Sequence, residues 1–337
     1  MKNRVGKLVK PFSDRVDLQL LEWLPIPRLK ELAAFEPEML LICPITPWCL
    51  VMGYKLSQQF NCPCVVYFMD DWLAKVDYRW LTGSSDAIAQ ELLRKATGWL
   101  TISEQLKTDL SARYHLTPKQ SLVVHNPVDL TNKQLPDKLP SQQGTFKVAY
   151  AGSIWAMHYD AVAVVAEAIY QLKCEGKDIN LILYTNPSFW HNYQEQWQKW
   201  QVVYGSFIPY NQLNNYLQQA DLLLVASSFL PENAHLIRSS VLTKITDYMV
   251  AGRAILSCGP SYSACNQFIK RWNCGLVCED NDVSKVKALL LEQMENRYSL
   301  VDYAEKAFQV VSQNFEMSLV NTKLAKFLTE LAISSES

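Results

Sequence analysis

The sequence predicts an α/β protein built on parallel sheets and divided into two domains. Three observations predict it. Short apolar runs alternate with amphipathic helical stretches almost from end to end. The runs are apolar on both faces rather than at every second position only, as expected of strands covered on both sides. The chain also has 337 residues, more than one ordinary core organises.

The strand candidates, in order, are MLLIC (39–43), VVYFM (65–69), WLTI (99–102), LVVH (122–125), FKVAYAG (146–152), INLILYT (179–185), DLLLVA (221–226), AILSC (254–258) and GLVC (275–278). Helical patterns lie between them. In YDAVAVVAEAIYQL, for example, Val162, Val165, Ala166, Ile169 and Leu172 fall on one face. The alternation breaks at 128–145, a polar, proline-bearing stretch without either period, which reads as a linker. The expected domains are therefore 1–127 and 146–315. A closing helix over 316–337 offers Leu319, Leu324, Phe327, Leu328 and Leu331 for docking, with the first domain as one candidate partner.

Composition excludes several function classes. Hydrophobic residues make up 49% and charged residues 19%, an ordinary globular balance. The formal net charge of −1 gives no global pull toward nucleic acid. Nine cysteines, odd in number and without a C-x-x-C pair, sit mostly in apolar runs; they read as reduced and structural, which points to the cytoplasm. The start of the chain lacks the apolar core of a signal peptide, and MLLICPITPWCLVMGY is too short to span a bilayer, so a soluble protein is expected. Residues 1–30 carry seven Lys/Arg against three Asp/Glu, compatible with peripheral contact at a membrane surface as well as with a solvated segment. Trp190, Trp197 and Trp200 fit core packing better than an exposed lipid- or sugar-contacting stripe. No histidine–carboxylate cluster suggests a metal, and none is expected.

The segment SSVLTKITDYMVAGRAILSCGP (239–260) carries the most pointed chemistry. Val241, Ile245, Tyr248 and Met249 recur at helical spacing, Gly252 marks the helix end, and AILSC reads as a strand. Lys244 and Asp247 share one helix face. They form either a solvated i,i+3 ion pair or part of a phosphate site in which Ser240 and Thr243 add hydroxyl donors. Two further positions follow strands, at the sheet edge where open α/β folds bind ligands: Gly152-Ser153 and Tyr184-Thr185. Asp70-Asp71 close another strand and suit either base chemistry or a helix N-cap. Asn126 and Asp129 read as turn and hinge residues, and His125, His158 and His235 each read as structural.

The order and spacing of these blocks resemble a GT-B glycosyltransferase of the retaining family-4 type. The resemblance covers about residues 36–330. It is carried by FEPEMLLICPITPWCLVMGYKLSQQFNCPCVVYFMDDW, ATGWLTISEQLKTDLSARYHL, VVHNPVDL, FKVAYAGSIWAMHYDAVAVVAEAI, YGSFIPYNQLNNYLQQADLLLVAS and the 239–260 segment, which matches S-x-P-[ST]-K-x-x-[DE]-Y-x-x-x-G-[RK]-P. The chain departs from the family at several positions. Ser239 and Asp247 stand where the commoner members carry an E-x7-E pair. Ser153 replaces an arginine, and Leu242 and Ala254 replace prolines. A first strand with a glycine-rich turn is not evident near the start.

The resemblance implies two Rossmann-like domains whose parallel sheets face a central cleft. It also implies transfer of a sugar from a nucleotide-diphosphate donor to an acceptor hydroxyl, with retention and without a metal or other cofactor. The setting it implies is polysaccharide or lipid-linked glycan synthesis at the cytoplasmic side. The donor residues implied are Gly152, Ser153, Tyr184, Thr185, Gly205, Ser206, Phe207, Ser240, Thr243, Lys244 and Asp247, with Arg253 sharing the phosphate charge. One of Asp70 and Asp71 would serve the acceptor. Two other readings stay open: a non-catalytic partner that keeps the fold, and a sugar-nucleotide epimerase.

Overall fold

The computed structural model describes residues 25–71, 85–131 and 144–336, together with Trp23, Leu73, Lys133 and Leu135. The basic segment 1–22, Trp72 and much of the expected linker lie outside the described residues. The chain divides into two compact units: Met1–His125 with Asn321–Ser337, and Asn126–Val320. No helix among the described residues is long and apolar enough to cross a membrane.

The first unit holds β1 (Leu40–Ile42), β2 (Cys64–Phe68), β3 (Gly98–Thr101) and β4 (Ser121–Val123), all parallel and in the order β1-β2-β3-β4. Leu40 lies opposite Cys64, Val65 opposite Gly98 and Trp99 opposite Ser121. The connecting helices start where side-chain oxygens can accept orphan backbone N–H groups. Thr46 accepts from Cys49 N at 3.2 Å before helix Pro47–Gln59, and Ser103 accepts from Leu106 N at 3.1 Å before helix Glu104–Tyr114. Phe68, Leu92, Trp99, Leu106 and Leu110 form the core. A Cβ on Gly98 would lie 2.6 Å from Leu331 and 3.0 Å from Phe327, so the last helix closes on β3 where only a glycine leaves room.

The second unit holds β5 (Phe146–Ala151), β6 (Ile179–Tyr184), β7 (Val203–Tyr204), β8 (Leu222–Ala226), β9 (Ala254–Cys258) and β10 (Leu276–Cys278). They form one parallel sheet in the order β10-β9-β8-β5-β6-β7. Numbered within the unit, this is the 3-2-1-4-5-6 order of dinucleotide-binding folds, and the order reverses between β5 and β8. The sheet is covered on both sides because alternate residues point to opposite faces. Val148, Tyr150, Leu222 and Leu224 meet one cluster, and Ala149, Leu223, Val225 and Ile255 meet the other with Ile245, Tyr248 and Met249.

Two expectations are revised here and a third is met. β7 was not foreseen. Trp190, Trp197 and Trp200 are buried core residues, on two short helices, Pro187–His191 and Gln194–Lys199, and the residue after them. The start of the expected linker belongs to the second unit: Val128 is buried, its N donates to Phe315 O and its O accepts from Met317 N, both at 2.9 Å.

Candidate functional site

The switch between β5 and β8 leaves a crevice at the C-terminal edge of the second sheet, where open α/β folds place ligands. Here the chain leaves β5 through Gly152 and Ser153, and each side of that turn is fixed by a buried hydroxyl. Tyr248 Oη accepts from Ala151 N at 2.8 Å, and Tyr150 Oη donates to Ser153 O at 2.7 Å. Gly152 N donates to Tyr184 O at 2.9 Å, tying the turn to the end of β6. Gly152 has φ of 115°, a conformation that a side chain strains. A Cβ there would also lie 3.4 Å from Lys244 Nζ.

Lys244 begins the short helix Lys244–Val250, and Gly252, at φ 61°, follows its end in the left-handed conformation. The lysine stem is half-buried, but its nitrogen is shut off from solvent and has no hydrogen-bond partner among the described residues. It sits 3.7 Å from the centroid of the Tyr150 ring, in cation–π contact. Burial pushes the amine down to about 7, with Cys265 opposing part of the shift.

Around this nitrogen opens a cavity of about 340 Å³, lined by Gly152, Ser153, Trp155, His158, Thr243 and Asp247 among others. Asp247 lies one turn beyond Lys244 and accepts from Tyr210 Oη at 2.9 Å. Burial raises its carboxyl above the usual range, and the tyrosine bond offsets part of this. Asp247 and Leu213 also line a second cavity of about 190 Å³, with Asp129, Thr131, Lys133 and Asn214. The two cavities thus meet at a carboxylate. A cation, a left-handed glycine turn and a carboxylate in this order suit an anionic group joined to a hydroxyl-bearing one.

Of the expected donor residues, Gly152, Ser153, Thr243, Lys244 and Asp247 line the first cavity. Ser240 does not: it is buried, and its carbonyl accepts from Cys265 Sγ at 3.8 Å. Thr185 is buried at the end of β6, and Phe207 is exposed. Gly205 serves packing, since a Cβ there would lie 2.5 Å from the Tyr184 ring, and Ser206 follows it at φ 65°. Tyr184 is engaged edge-on with Tyr216.

Arg253 is not a phosphate ligand. It precedes β9, at the N-terminal edge of the sheet, and donates to the carbonyls of Gln218 and Gly252. In the first unit, Asp71 is buried and makes a two-pronged ion pair with Arg113, one arm at 2.7 Å. That bond holds the end of β2 to helix Glu104–Tyr114. Asp70, its neighbour, is exposed. The sequence reading missed Tyr210 and Trp155. It took His158 as structural, although the structure places that ring in the cavity wall.

No family model matches the chain, and no curated protein matches it. Solved structures do. The sucrose-phosphate synthase of Thermosynechococcus elongatus is similar over 94% of this chain and 79% of its own, with 13% identity and a TM-score of 0.72. HepE of Anabaena, in complex with UDP, is similar over 95% and 82%, with 14% identity and a TM-score of 0.66. A glycosyltransferase from Rickettsia africae is similar over 95% and 82%, with 13% identity and a TM-score of 0.67. At these identities the likeness establishes the fold: the chain is an α/β protein of the GT-B type with two Rossmann-like units.

Proposed function

We propose that this GT-B chain is a glycosyltransferase whose second unit binds a nucleotide-diphosphate sugar. In this reading the sugar passes to an acceptor hydroxyl with retention and without a metal. The observation that carries it is Lys244: a buried amine with no hydrogen-bond partner among the described residues, set against the Gly152 turn at the switch point of a dinucleotide-type sheet. A diphosphate supplies the missing acceptors, and its charge returns the amine to its charged form.

Asp247 then takes the ribose hydroxyls, with Tyr210 holding one of its oxygens in place. The Gly152-Ser153 turn and Thr243 line the phosphate end, and the exposed Trp155, braced edge-on by Phe189, offers an apolar face to the sugar. As the sugar–oxygen bond breaks, charge grows on the departing diphosphate, and a fixed cation beside it stabilises that charge without reorganisation. The acceptor is assigned to the first unit, with Asp70 rather than Asp71, because Asp71 is committed to Arg113. HepE, a fold neighbour, holds UDP, which supports a nucleotide. Retention, metal independence and a role in polysaccharide or lipid-linked glycan synthesis rest on the sequence resemblance. The nine free cysteines support a cytoplasmic setting.

The test is release of free nucleoside diphosphate from UDP-, GDP- and ADP-sugars, with and without a chelator, together with the anomeric configuration of any product by NMR. Chelator-resistant release from one donor, lost in Lys244→Ala, is the expected result. Binding without turnover across donors and acceptors would make the chain a non-catalytic partner. No binding at all would overturn the reading.

A further inference from the structure

The runs AILSC and GLVC each end on a cysteine, and the second sheet brings the two ends side by side. Cys258 closes β9, Cys278 closes β10, and the two are direct partners in the parallel register. Both belong to the apolar cluster that holds Val286 and Leu290, so their side chains share one face of the sheet. Neighbouring strands lie about 4.8 Å apart, within the Cα spacing of about 4.4–6.8 Å that disulfides bridge.

The two thiols are free, buried and in hydrogen-bond contact with each other, and they are not equivalent. The bond from Cys258 holds the Cys278 thiol down to about 7, while that bond and burial push Cys258 well up. Lys285 and Asp280 act on Cys278 in opposite directions, and its Sγ donates to Asp280 O at 3.7 Å. One sulfur is therefore suited to attack near neutral pH and the other to follow it. Cys265 and Cys274 instead donate to the carbonyls of Ser240 and Ile269. Burial pushes Cys64 and Cys274 up to about 12. β10 is also the outer strand of its sheet, and Asp280, two residues on, is exposed. An outer strand has one neighbour, so movement of its sulfur toward Cys258 disturbs no second pairing.

We propose that Cys258 and Cys278 are a redox modification site, joined as a reversible disulfide when the protein meets a peroxide. The Cys278 thiolate attacks one peroxide oxygen and the O–O bond breaks. The departing hydroxide takes up the proton that Cys278 released and leaves as water. Cys258 sulfur then attacks the Cys278 sulfenic acid; the S–O bond breaks, and hydroxide leaves with the Cys258 proton as a second water. Two thiols are oxidised by two electrons, and one peroxide is reduced to two waters. A thiol reductant restores both cysteines, as suits the cytoplasmic setting proposed above, where disulfides are transient. The proposal is independent of the donor-site reading.

The experiment treats the folded full chain, reduced and then freed of reductant, with a small excess of hydrogen peroxide at pH 7.5. Remaining thiols are alkylated under denaturing conditions, and cysteine peptides are mapped by mass spectrometry with and without dithiothreitol. The expected product is one peptide pair joined through Cys258 and Cys278 and lost on reduction. It forms more than about tenfold faster than Cys64 or Cys274 is oxidised, following their thiolate fractions. In Cys258→Ala the Cys278 sulfenic acid accumulates and is trapped by dimedone, whereas in Cys278→Ala the Cys258 thiol stays free. The wild-type map decides the matter whether or not these variants fold. Recovery of both cysteines as free thiols while the exposed Cys174 is oxidised overturns the proposal. So does Cys278 joined to any other cysteine of the folded chain, or a Cys258–Cys278 bond that forms only in urea.

Discussion

Replacing Lys244 by methionine is expected to stabilise the ligand-free protein and to abolish diphosphate binding. The structure sets the size of the effect. The amine sits among Tyr150, Tyr248, Cys265 and His158, without an acceptor among the described residues, and falls from its ordinary 10.5 to about 7. Each unit is worth about 1.4 kcal/mol, so holding the charged amine in the fold below pH 7 costs at most about 5 kcal/mol relative to the unfolded chain. The half-exposed stem lets the nitrogen swing toward water, which reduces the expected gain to about 1–3 kcal/mol. Methionine keeps the stem and a favourable sulfur contact with the Tyr150 ring.

The sign of the pH dependence follows from the proton count. Between about 7 and 10.5 the unfolded lysine is protonated and the folded one is not, so stability rises with pH across that window. The cost is complete below pH 7 and fades toward 10.5. The variant lacks it. The gap between Lys244→Met and wild type is therefore widest at pH 6 and shrinks by about half by pH 9. Thermal or urea unfolding at pH 6, 7.5 and 9 reads it, at about 2–4 °C per kcal/mol for a unit of this size. A variant less stable than wild type at pH 6, or a gap independent of pH, would refute the reasoning.

Four other outcomes are expected. Diphosphate affinity of the wild type should fall above pH 7, by up to about tenfold per unit, as Lys244 loses its proton; Lys244→Arg, always charged, should flatten the profile in a calorimetric series. Asp71→Asn leaves Arg113 without its carboxylate and should cost about 2–4 kcal/mol by urea midpoint. Asp70→Asn, on an exposed side chain, should stay within about 0.5 kcal/mol of wild type while lowering sugar transfer. Gly205→Ala forces a methyl against the Tyr184 ring and should cost about 1–3 kcal/mol in the same assay.

Much of the fold was legible because the sheets are covered on both faces. LLLVA of β8 and AILSC of β9 are buried at every position, and that burial writes itself into the sequence as unbroken apolar runs. β7 had no such signature. It is two residues long, Val203 is exposed, and it exists because Ile182 and Leu183 of β6 offer an edge. That Lys244 and Asp247 share a helix face was readable from helical spacing, and both line the first cavity; the approach of Gly152 was readable from the strand-to-turn boundary. The state of the lysine was not, since it depends on Tyr150, far back in the chain. Arg253 shows the opposite error: nearness in sequence to the phosphate segment suggested a shared role, but the intervening helix carries the chain back to the other edge of the sheet. His158 looked like an ordinary core histidine, because only the tertiary structure reveals a buried ring in the wall of the cavity.

The central claim is that a nucleoside diphosphate binds where Lys244 and Asp247 meet the Gly152 turn. A thermal-shift titration with UDP, GDP and ADP on wild type, Lys244→Ala and Asp247→Ala tests it most directly. A ligand at about 100 times its Kd adds roughly 2.7 kcal/mol, a rise of about 5–11 °C at 2–4 °C per kcal/mol. The account predicts such a rise with one of the three nucleotides and its loss in both variants. A folded wild type that responds to none of them, or a rise that survives both substitutions, would contradict it.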